Sequence, residues 1–291
     1  MYINKENIII ACILFFVYLY KKKDASLKEK YSGIKWNIGH VMLVLLILNF
    51  IRPALYQIFG NVPSYLFSIL KNVILIYLCL HIVIFTCKQK ISNLGLTWAN
   101  LKDNLLLSIP SVLFQETLSL FFILAALFYF SDIPFKGTDS APAFLNTGLN
   151  PSHVIYFCYL CIIVPISEEI FYRGFFYSAL KKIVDLRFAV IFSSLFFAFA
   201  HGGLWNSKVW LVFIGAILSC VMYEVTRSLV IPIILHMVTN IGSIATNWIA
   251  ESFFNVDGLE YRILIILGVT ATALFFILRK GIYKYKAKYN S

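Results

Sequence analysis

A small set of polar side chains stands inside the long apolar stretches of this 291-residue chain, at spacings typical of helices. The set consists of Glu168, Glu169, Arg173, His201, His236 and Asn240. A buried carboxylate beside an imidazole can hold a water molecule and take its proton. A second imidazole and an amide can donate hydrogen bonds to a developing oxyanion. Hydrolysis of an amide bond without a covalent intermediate requires these groups, and no Ser or Cys stands in a recognisable nucleophile setting.

The two adjacent glutamates are expected to have different roles. Glu169 and Arg173 are four residues apart, so they share one helix face and suit an ion pair. Glu168 points about 100° away from Glu169 around the helix, which leaves it for a different partner. Pro165, just upstream, has no N–H and is expected to free the carbonyl of Cys161 and to kink the helix. Irregular backbone at membrane depth usually lines a wet cavity.

The same residue types leave a metal-binding alternative open. Glu168, His201 and His236 could together bind Zn²⁺ and leave a fourth position for water. The His-Glu-x-x-His spacing of helical zinc peptidases is absent from the sequence. The cofactor prediction is therefore either none or Zn²⁺.

Other ionisable residues in the apolar stretches have simpler interpretations. Glu224 and Arg227 are three residues apart near the end of a stretch and predict a local ion pair. Lys71 is near enough to a helix end to extend its ammonium group to the interface. His81 is interpreted as a hydrogen-bonded packing residue. Glu116 lies in mid-stretch without an evident local partner, and a position facing a polar cavity is one alternative for it.

The elements that position these residues are predicted to be membrane helices. Hydrophobic residues make up 60% of the chain and charged residues 13%, and the mean hydropathy is +0.81. Ordinary soluble domains are about 45–50% apolar and about 25% charged, so a soluble enzyme, a disordered protein and a nucleic-acid-binding module are excluded. The sequence predicts an all-α fold, a polytopic transmembrane helical bundle of eight or nine spans. The apolar runs are 38–58, 64–87, 105–131, 153–181, 187–203, 208–227, 229–250 and 260–279, with a shorter run at 7–20.

Lysine and arginine mark alternate connections between the apolar runs. The basic segments are 21–35, 88–102, 181–187, the turn at Arg227 and the tail from Arg279. The net charge of +11 is therefore interpreted as loop charge rather than as a sign of a nucleic-acid partner. The alternation predicts a multi-pass protein of the cell membrane with its C-terminus in the cytoplasm. Segment 91–103 is mildly amphipathic and is expected to lie along the cytoplasmic interface.

The predicted topology places the candidate residues at similar depths. At a rise of about 1.5 Å per residue, Glu168, His201 and Asn240 lie about 20 Å from the cytoplasmic ends of their helices. His236 lies about 14 Å from the same side. Polar groups from three helices therefore fall within one slab of the membrane, which favours a shared site over scattered packing residues.

Three motifs in this order resemble those of a family of intramembrane proteases, the CAAX-protease and bacteriocin-processing (CPBP) family. The motifs are Glu168-Glu169-x-x-x-Arg173, Phe197-x-x-x-His201 and His236-x-x-x-Asn240, in separate apolar runs within residues 150–250. That family includes CAAX prenyl endopeptidases and bacterial proteins named for abortive infection or bacteriocin self-immunity. The resemblance implies a protease core over 105–279, variable helices and an interfacial segment over 1–104, and a basic cytoplasmic tail over 280–291.

The resemblance also implies roles for the motif residues. Glu168 would activate water, and His201 would help to hold it. His236 and Asn240 would form the oxyanion site. The supporting residues would be Glu169, Arg173 and Phe197. The family is often labelled as metalloproteases, while a metal-independent glutamate mechanism is also argued for it. Asn240 in place of Asp removes a potential anionic metal ligand, which favours the metal-free mechanism.

The predicted function is hydrolysis of a peptide bond at the membrane. The expected substrate is a peptide, a prenylated or lipidated protein tail, or a bacteriocin-related peptide, met in the lipid bilayer. A non-catalytic bacteriocin-immunity or scaffold protein with the same fold is the main alternative. A proton-coupled transporter is a further alternative, and the absence of visible inverted repeats disfavours it.

Overall fold

The computed structural model describes residues 30–59, 64–129, 151–202, 207–253 and 260–289 of the chain. Regular structure within these ranges is helical and includes no strand, which confirms the predicted all-α fold. The α-helices of these ranges are α1 (Ile38–Phe59), α2 (Ser64–His81), α3 (Leu101–Tyr129), α4 (Pro151–Cys158), α5 (Val164–Glu169), α6 (Ser178–Lys181), α7 (Leu186–Ala200), α8 (Ser207–Thr226), α9 (Val230–Phe253) and α10 (Glu260–Tyr289).

The eight long apolar runs of the sequence all coincide with helices or with uninterrupted helical stretches. Among the described residues, six helical segments are long and apolar enough to cross a membrane, which makes the chain a helical membrane protein. They are Ile38–Leu55, Tyr65–Thr86, Leu101–Ala125, Val154–Lys181, Val209–Thr226 and Arg262–Tyr289. Two apolar helices, Leu186–Ala200 and Val230–Ser243, are shorter. The run 7–20 lies outside the described residues, so a ninth span stays a prediction.

The chain forms two compact units, each built from two separate stretches. The first unit consists of the residues up to Thr97 together with Ile166–Val230. The second unit consists of Trp98–Pro165 together with Ile231–Ser291. Glu168 and His201 therefore belong to the first unit, whereas His236 and Asn240 belong to the second. The domain limits drawn at 104/105 and 279/280 stay a prediction.

The first unit has an aromatic core next to the helices that carry the glutamates. Trp36 is fully buried and stacks on Phe175 with ring centroids 5.9 Å apart. α7 begins after Asp185, whose carboxylate accepts hydrogen bonds from the backbone N–H groups of Arg187 and Phe188. Such an N-cap satisfies backbone donors that have no partner within the helix. α7 then packs along α8, which sets the position of the histidine at its end.

The connection that follows α2 is anchored within the first unit. A 3₁₀-helix over Ile91–Leu94 ends at Gly95, where φ is 87°. Tyr223 donates its hydroxyl to the last carbonyl of this turn at 3.0 Å, and Leu229 donates its N–H to the Gly95 carbonyl at 2.7 Å. A Cβ at Gly95 would lie 2.5 Å from the Tyr223 ring, so both φ and space require glycine. The expected interfacial segment 91–103 thus comprises this turn, a loop and the start of α3.

Lys181 departs from its predicted place in an exposed basic turn. Its side chain is 4% exposed, and its Nζ lies 2.9 Å from Oε2 of Glu224. Nζ also lies 4.9–5.7 Å from the centroids of three tyrosine rings. The rings belong to Tyr31, Tyr177 and Tyr223. Glu224 also pairs with Arg227 at 2.7 Å, which confirms the predicted local ion pair. Burial of Lys181 was not predicted because Glu224, Tyr223 and Tyr31 come from distant parts of the sequence.

The second unit contains α3 and α10, which pack along each other. Near the start of α3 and the end of α10, the Tyr285 hydroxyl donates to the side-chain oxygen of Asn104. The Lys288 ammonium group pairs with the Asp103 carboxylate in the same region. These contacts lie in the segment 280–291 that the sequence predicted as a basic tail, and α10 continues through most of that segment.

Candidate active site

The two glutamates lie in a helical stretch that runs without a break from Pro151 to Lys181. α4 passes into a π-helix over Tyr159–Ile163, and α5 then carries Glu168 and Glu169. A longer π-helix over Ile170–Tyr177 follows, and all of its residues are buried. π-Helical turns are rare in proteins, and those that do occur often lie at functional sites. In a wide turn some backbone carbonyls leave the usual hydrogen-bond pattern, so side chains from elsewhere can bind them.

Side chains do bind the carbonyls of the longer π-helix. Ser193 of α7 donates its hydroxyl to the Tyr172 carbonyl at 3.2 Å. Trp36 donates its Nε1–H to the Phe175 carbonyl at 2.9 Å. Irregular backbone at membrane depth is tolerated only where such groups are satisfied by protein or water. These donors therefore support the unusual backbone that carries Arg173.

The shorter π-helix differs in register from the sequence expectation. The Val164 N–H donates to the Tyr159 carbonyl, five residues back. In this register an N–H at position 165 would reach Leu160, and Pro165 has no N–H to give. The carbonyl that lacks its backbone donor is therefore that of Leu160. The expectation that Pro165 frees the Cys161 carbonyl assumed the α register, and for Cys161 it stays a prediction.

The predicted ion pair between Glu169 and Arg173 is present and buried. Nη1 of Arg173 lies 2.8 Å from Oε1 of Glu169, and both side chains are 1% exposed. Nη2 of Arg173 donates to the Ala216 carbonyl of α8 at 3.4 Å. A buried pair of this kind is costly to break because either partner alone is an uncompensated buried charge. The pair thus ties the longer π-helix to α8 and leaves Glu169 unsuited to proton transfer.

Glu168 faces a different partner, as its angular position predicted. Nε2 of His201 lies 3.6 Å from Oε2 of Glu168, and the two side chains are 33% and 19% exposed. Nδ1 of His201 lies 2.9 Å from the Phe197 carbonyl, and since a carbonyl only accepts, Nδ1 must be the donor. In the neutral ring Nε2 then presents its lone pair to the carboxylate. Two acceptors cannot hydrogen-bond each other directly, but at 3.6 Å one water molecule can donate a hydrogen bond to both.

The ring of Phe197 connects the buried ion pair to the histidine. The guanidinium carbon of Arg173 lies 4.3 Å from the Phe197 ring centroid. The His201 ring lies 4.4 Å from the same centroid. Tyr172 meets Phe197 edge-on, with ring planes at 89° and centroids 4.9 Å apart. The Phe197 ring therefore packs against both Arg173 and His201. The Phe197 carbonyl, in addition, sets the tautomer of His201.

His236 and Asn240 lie one helical turn apart on α9, in the second unit. Both side chains are half-buried. Nδ2 of Asn240 donates to the Leu160 carbonyl at 2.8 Å, which is the carbonyl that Pro165 leaves without a backbone donor. The predicted shared helix face of the two residues follows from their spacing on the observed helix.

Glu116 of α3 packs against α9 in the second unit. A Cβ at Gly242 would lie 2.6 Å from Cδ of Glu116, so the carboxyl group rests on the glycine backbone. Oε1 of Glu116 is buried and has no hydrogen-bond partner among the described residues. The nearby Thr239 hydroxyl donates to the Leu235 carbonyl within its own helix at 2.9 Å. Glu116 thus contacts the same helix that carries His236 and Asn240.

The possible zinc ligands are divided between the two units. Glu168 and His201 offer two donor atoms 3.6 Å apart in the first unit, and catalytic zinc sites use three protein ligands. His236 of the second unit would have to be the third. Within the described parts of the chain, no three His, Cys, Asp or Glu side chains are grouped as metal ligands would be.

Comparison with known families concerns the segment that carries these residues. Residues 150–242 match the model of the family described as type II CAAX prenyl endopeptidase Rce1-like. We call this matched stretch, residues 150–242, the Rce1-like segment. The match confirms the family resemblance that the three motifs predicted, over about a third of the chain. No curated protein and no solved structure matches the chain.

The Rce1-like segment contains every motif residue singled out from the sequence. It begins at the start of α4 and ends on α9, two residues beyond Asn240. At the level of the family, the match supports a CAAX-protease-like membrane endopeptidase. α1, α2, α3 and α10 lie in the remainder of the described chain.

Several residues that support the site were not found by sequence reasoning. Ser193 lies inside the Rce1-like segment, and the Ser193-Ser194 pair within an apolar helix was an available signal. Trp36 lies far outside the segment and gave no signal, because its bond to the Phe175 carbonyl depends on the π-helical backbone. Leu160 contributes through its carbonyl, which no side-chain pattern reveals.

Proposed function

We propose that this protein is an intramembrane endopeptidase that hydrolyses a peptide bond with a water molecule activated by Glu168. The proposal rests on the arrangement of Glu168 and His201, whose facing atoms lie 3.6 Å apart. His201 is held by the Phe197 carbonyl in the tautomer whose Nε2 lone pair is directed at the carboxylate. The match to a family of endopeptidases supports peptide-bond hydrolysis as the reaction.

In the proposed reaction, one water molecule binds between Oε2 of Glu168 and Nε2 of His201. The carboxylate takes a proton from this water while the water oxygen attacks the carbonyl carbon of the peptide. The tetrahedral intermediate collapses when its C–N bond breaks, and Glu168 gives the proton to the leaving nitrogen. The products are a carboxyl group and an amine, and Glu168 is ionised again for the next cycle.

The oxyanion of the intermediate is proposed to be bound by His236 and Asn240. Their support is the predicted topology, which puts them in the same slab of the membrane as Glu168 and His201, about 14–20 Å from the cytoplasmic side, together with the family motif that both residues match. One N–H of the Asn240 amide is bound to Leu160, and the second N–H is proposed to point to the oxyanion. Loss of one oxyanion donor typically lowers kcat by about 10²–10³-fold.

Glu169, Arg173 and Phe197 are proposed to support the geometry without touching the substrate. The Glu169–Arg173 pair is buried, so it can neither exchange protons readily nor contact a peptide. Phe197 lies between Arg173 and His201 and carries the carbonyl that sets the His201 tautomer. Their proposed contribution is to keep Nε2 of His201 at a fixed distance from Glu168.

The proposed substrate is a peptide or the prenylated or lipidated tail of a protein, and a bacteriocin-related peptide belongs to the same class. A lipid-modified tail would bring its scissile bond to the membrane, where a site built on apolar helices can meet it. We place the C-terminus in the cytoplasm on the distribution of lysine and arginine. The chemistry derived above requires no metal; Zn²⁺ held by Glu168, His201 and His236 would instead supply a more acidic water molecule.

The experiment that tests the proposal measures cleavage in proteoliposomes. Quenched fluorescent peptides with and without a C-terminal isoprenyl group would be offered to the wild type, Glu168→Gln and His201→Ala. We expect both variants to lose at least about 10²-fold in kcat while their thermal unfolding stays close to that of the wild type. His81→Ala is the matched control, because His81 is an exposed histidine on another helix, and it should cleave normally.

Two outcomes would contradict the proposal. Full cleavage by correctly inserted Glu168→Gln and His201→Ala would remove the glutamate mechanism. A folded wild type that cleaves neither peptide would also contradict it. If this wild type still binds one of the peptides with the same affinity as Glu168→Gln, the result favours the non-catalytic immunity or scaffold alternative.

A further inference from the structure

The helix that precedes the glutamates has one hydrogen bond fewer than its backbone pattern calls for. The Val164 N–H reaches back five residues to Tyr159, so the next bond in this register would join residue 165 to Leu160. Pro165 has no N–H, and the Leu160 carbonyl is left without its backbone donor. At membrane depth no bulk water replaces such a donor, and an unsatisfied carbonyl costs free energy comparable to a lost hydrogen bond.

Asn240 supplies the missing donor from another helix. Its Nδ2 lies 2.8 Å from the Leu160 carbonyl oxygen, which is a good hydrogen-bond distance. The carbonyl oxygen can only accept, so the NH₂ end of the amide, and not its oxygen, must face Leu160. The bond thereby fixes the rotation of the amide as well as the contact between α9 and the shorter π-helix.

The same kind of support occurs in the longer π-helix of the first unit. There the Trp36 indole and the Ser193 hydroxyl donate to the carbonyls of Phe175 and Tyr172. Both irregular segments therefore have carbonyls that are bound by a side chain of another element. For Asn240 this gives a role that its motif position alone does not reveal.

We infer that Asn240 is a positioning residue: its amide takes the place of the backbone N–H that Pro165 lacks, and this bond orients the amide on α9. The consequence for catalysis rests on the proposed function, in which the second N–H of the amide binds the oxyanion. The bond to Leu160 itself is independent of catalysis. A residue that only bound the oxyanion would have no functional link to Pro165.

A double-mutant cycle separates the two roles. Asn240→Ala and Pro165→Ala are made singly and together, and thermal unfolding of the purified full chain in detergent is followed. Residue 165 regains an N–H when it is alanine, so the loss of Asn240 should then matter much less. We expect Asn240→Ala to lower the unfolding midpoint by about 3 °C beside proline and by less than half of that beside alanine.

Two matched variants sharpen the test. Asn240→Asp keeps the size of the side chain but replaces its donor with an acceptor, so it should be less stable than Asn240→Ala. Thr239→Val removes a hydroxyl that bonds within its own helix, so its effect on the midpoint should be the same beside Pro165 and beside Ala at that position. Expression of Asn240→Ala only in the Pro165→Ala background would also support the inference.

Three results would overturn the inference. They are equal losses for Asn240→Ala in the two backgrounds, an Asn240→Asp protein as stable as Asn240→Ala, and failure of Asn240→Ala to fold in both backgrounds. Peptide cleavage is measured separately on each folded variant. A wild type without activity would count against the proposed function, while the unfolding cycle would still decide the role of the bond.

Discussion

The guanidinium group of Arg173 lies over the ring of Phe197, with its central carbon 4.3 Å from the ring centroid. Arg173 is 1% exposed, so this cation–π contact is shielded from water and is worth about 1–2 kcal/mol. Phe197 also contacts the His201 ring, at 4.4 Å between centroids. One aromatic side chain thus links the buried ion pair to the proposed catalytic histidine.

The first prediction concerns this link. Phe197→Leu keeps an apolar side chain but removes the ring that Arg173 and His201 contact. We expect a stability loss of about 1–3 kcal/mol and a reduction of kcat of about 10-fold or more, with a smaller change in KM. Thermal unfolding and peptide cleavage in proteoliposomes would measure both. Phe192→Leu, on the same helix but stacked on Phe188, is the control and should leave kcat unchanged.

The second prediction concerns the buried ion pair. Glu169→Gln leaves the Arg173 charge without its carboxylate and should destabilise the protein by about 3–5 kcal/mol, so the yield of folded protein should fall more than the activity per folded molecule. Replacing both partners, as in Glu169→Leu with Arg173→Met, should recover part of this yield. Size-exclusion chromatography and cleavage per folded molecule distinguish the effects. A fully stable but inactive Glu169→Gln would contradict the supporting role.

The third prediction concerns metal dependence. Because Glu168 and His201 together suffice to hold and deprotonate water in the proposed mechanism, cleavage should persist after treatment with a strong chelator and removal of bound metal. Metal content by mass spectrometry and cleavage rate would be measured on the same sample. Loss of activity that Zn²⁺ restores would show that the metalloprotease alternative is correct.

The fourth prediction concerns the contact between α3 and α9. Gly242→Ala would place its Cβ 2.6 Å from Cδ of Glu116, so the end of the Glu116 side chain must move, and we expect a loss of about 1 kcal/mol. Glu116→Ala should relieve this strain, so the double variant should be more stable than Gly242→Ala alone. Gly268→Ala is the control, because its Cβ would meet only Phe121 at an ordinary 3.7 Å. Equal destabilisation by both glycine variants would refute the contact.

The sequence predicted the partners of the two glutamates better than it predicted the backbone that holds them. The separate directions of Glu168 and Glu169 followed from the 100° rotation per residue, and each glutamate has the expected kind of partner. The π-helical register could not be predicted, because it depends on donors such as Trp36 and Asn240 that reach the chain from elsewhere.

The helices themselves were largely predictable because their apolar runs are long and continuous. The ends of the helices were less predictable. α3 begins at Leu101, four residues before the predicted run, because Asp103 and Asn104 contact residues at the end of α10. Charges near helix ends were interpreted as loop residues, and Lys181 shows how tertiary contacts can override that interpretation.

Lys181 has a consequence for how the protein is made. During membrane insertion the chain has not yet folded, so the ammonium group of Lys181 is fully charged and, in the orientation proposed here, helps to retain its turn on the cytoplasmic side. After folding, the same group is 4% exposed and paired with Glu224, so it contributes little to the attraction between the finished protein and anionic lipid headgroups. In that orientation one lysine would serve first as a topogenic signal for the nascent chain, and in the folded protein it is a buried ion-pair partner of Glu224.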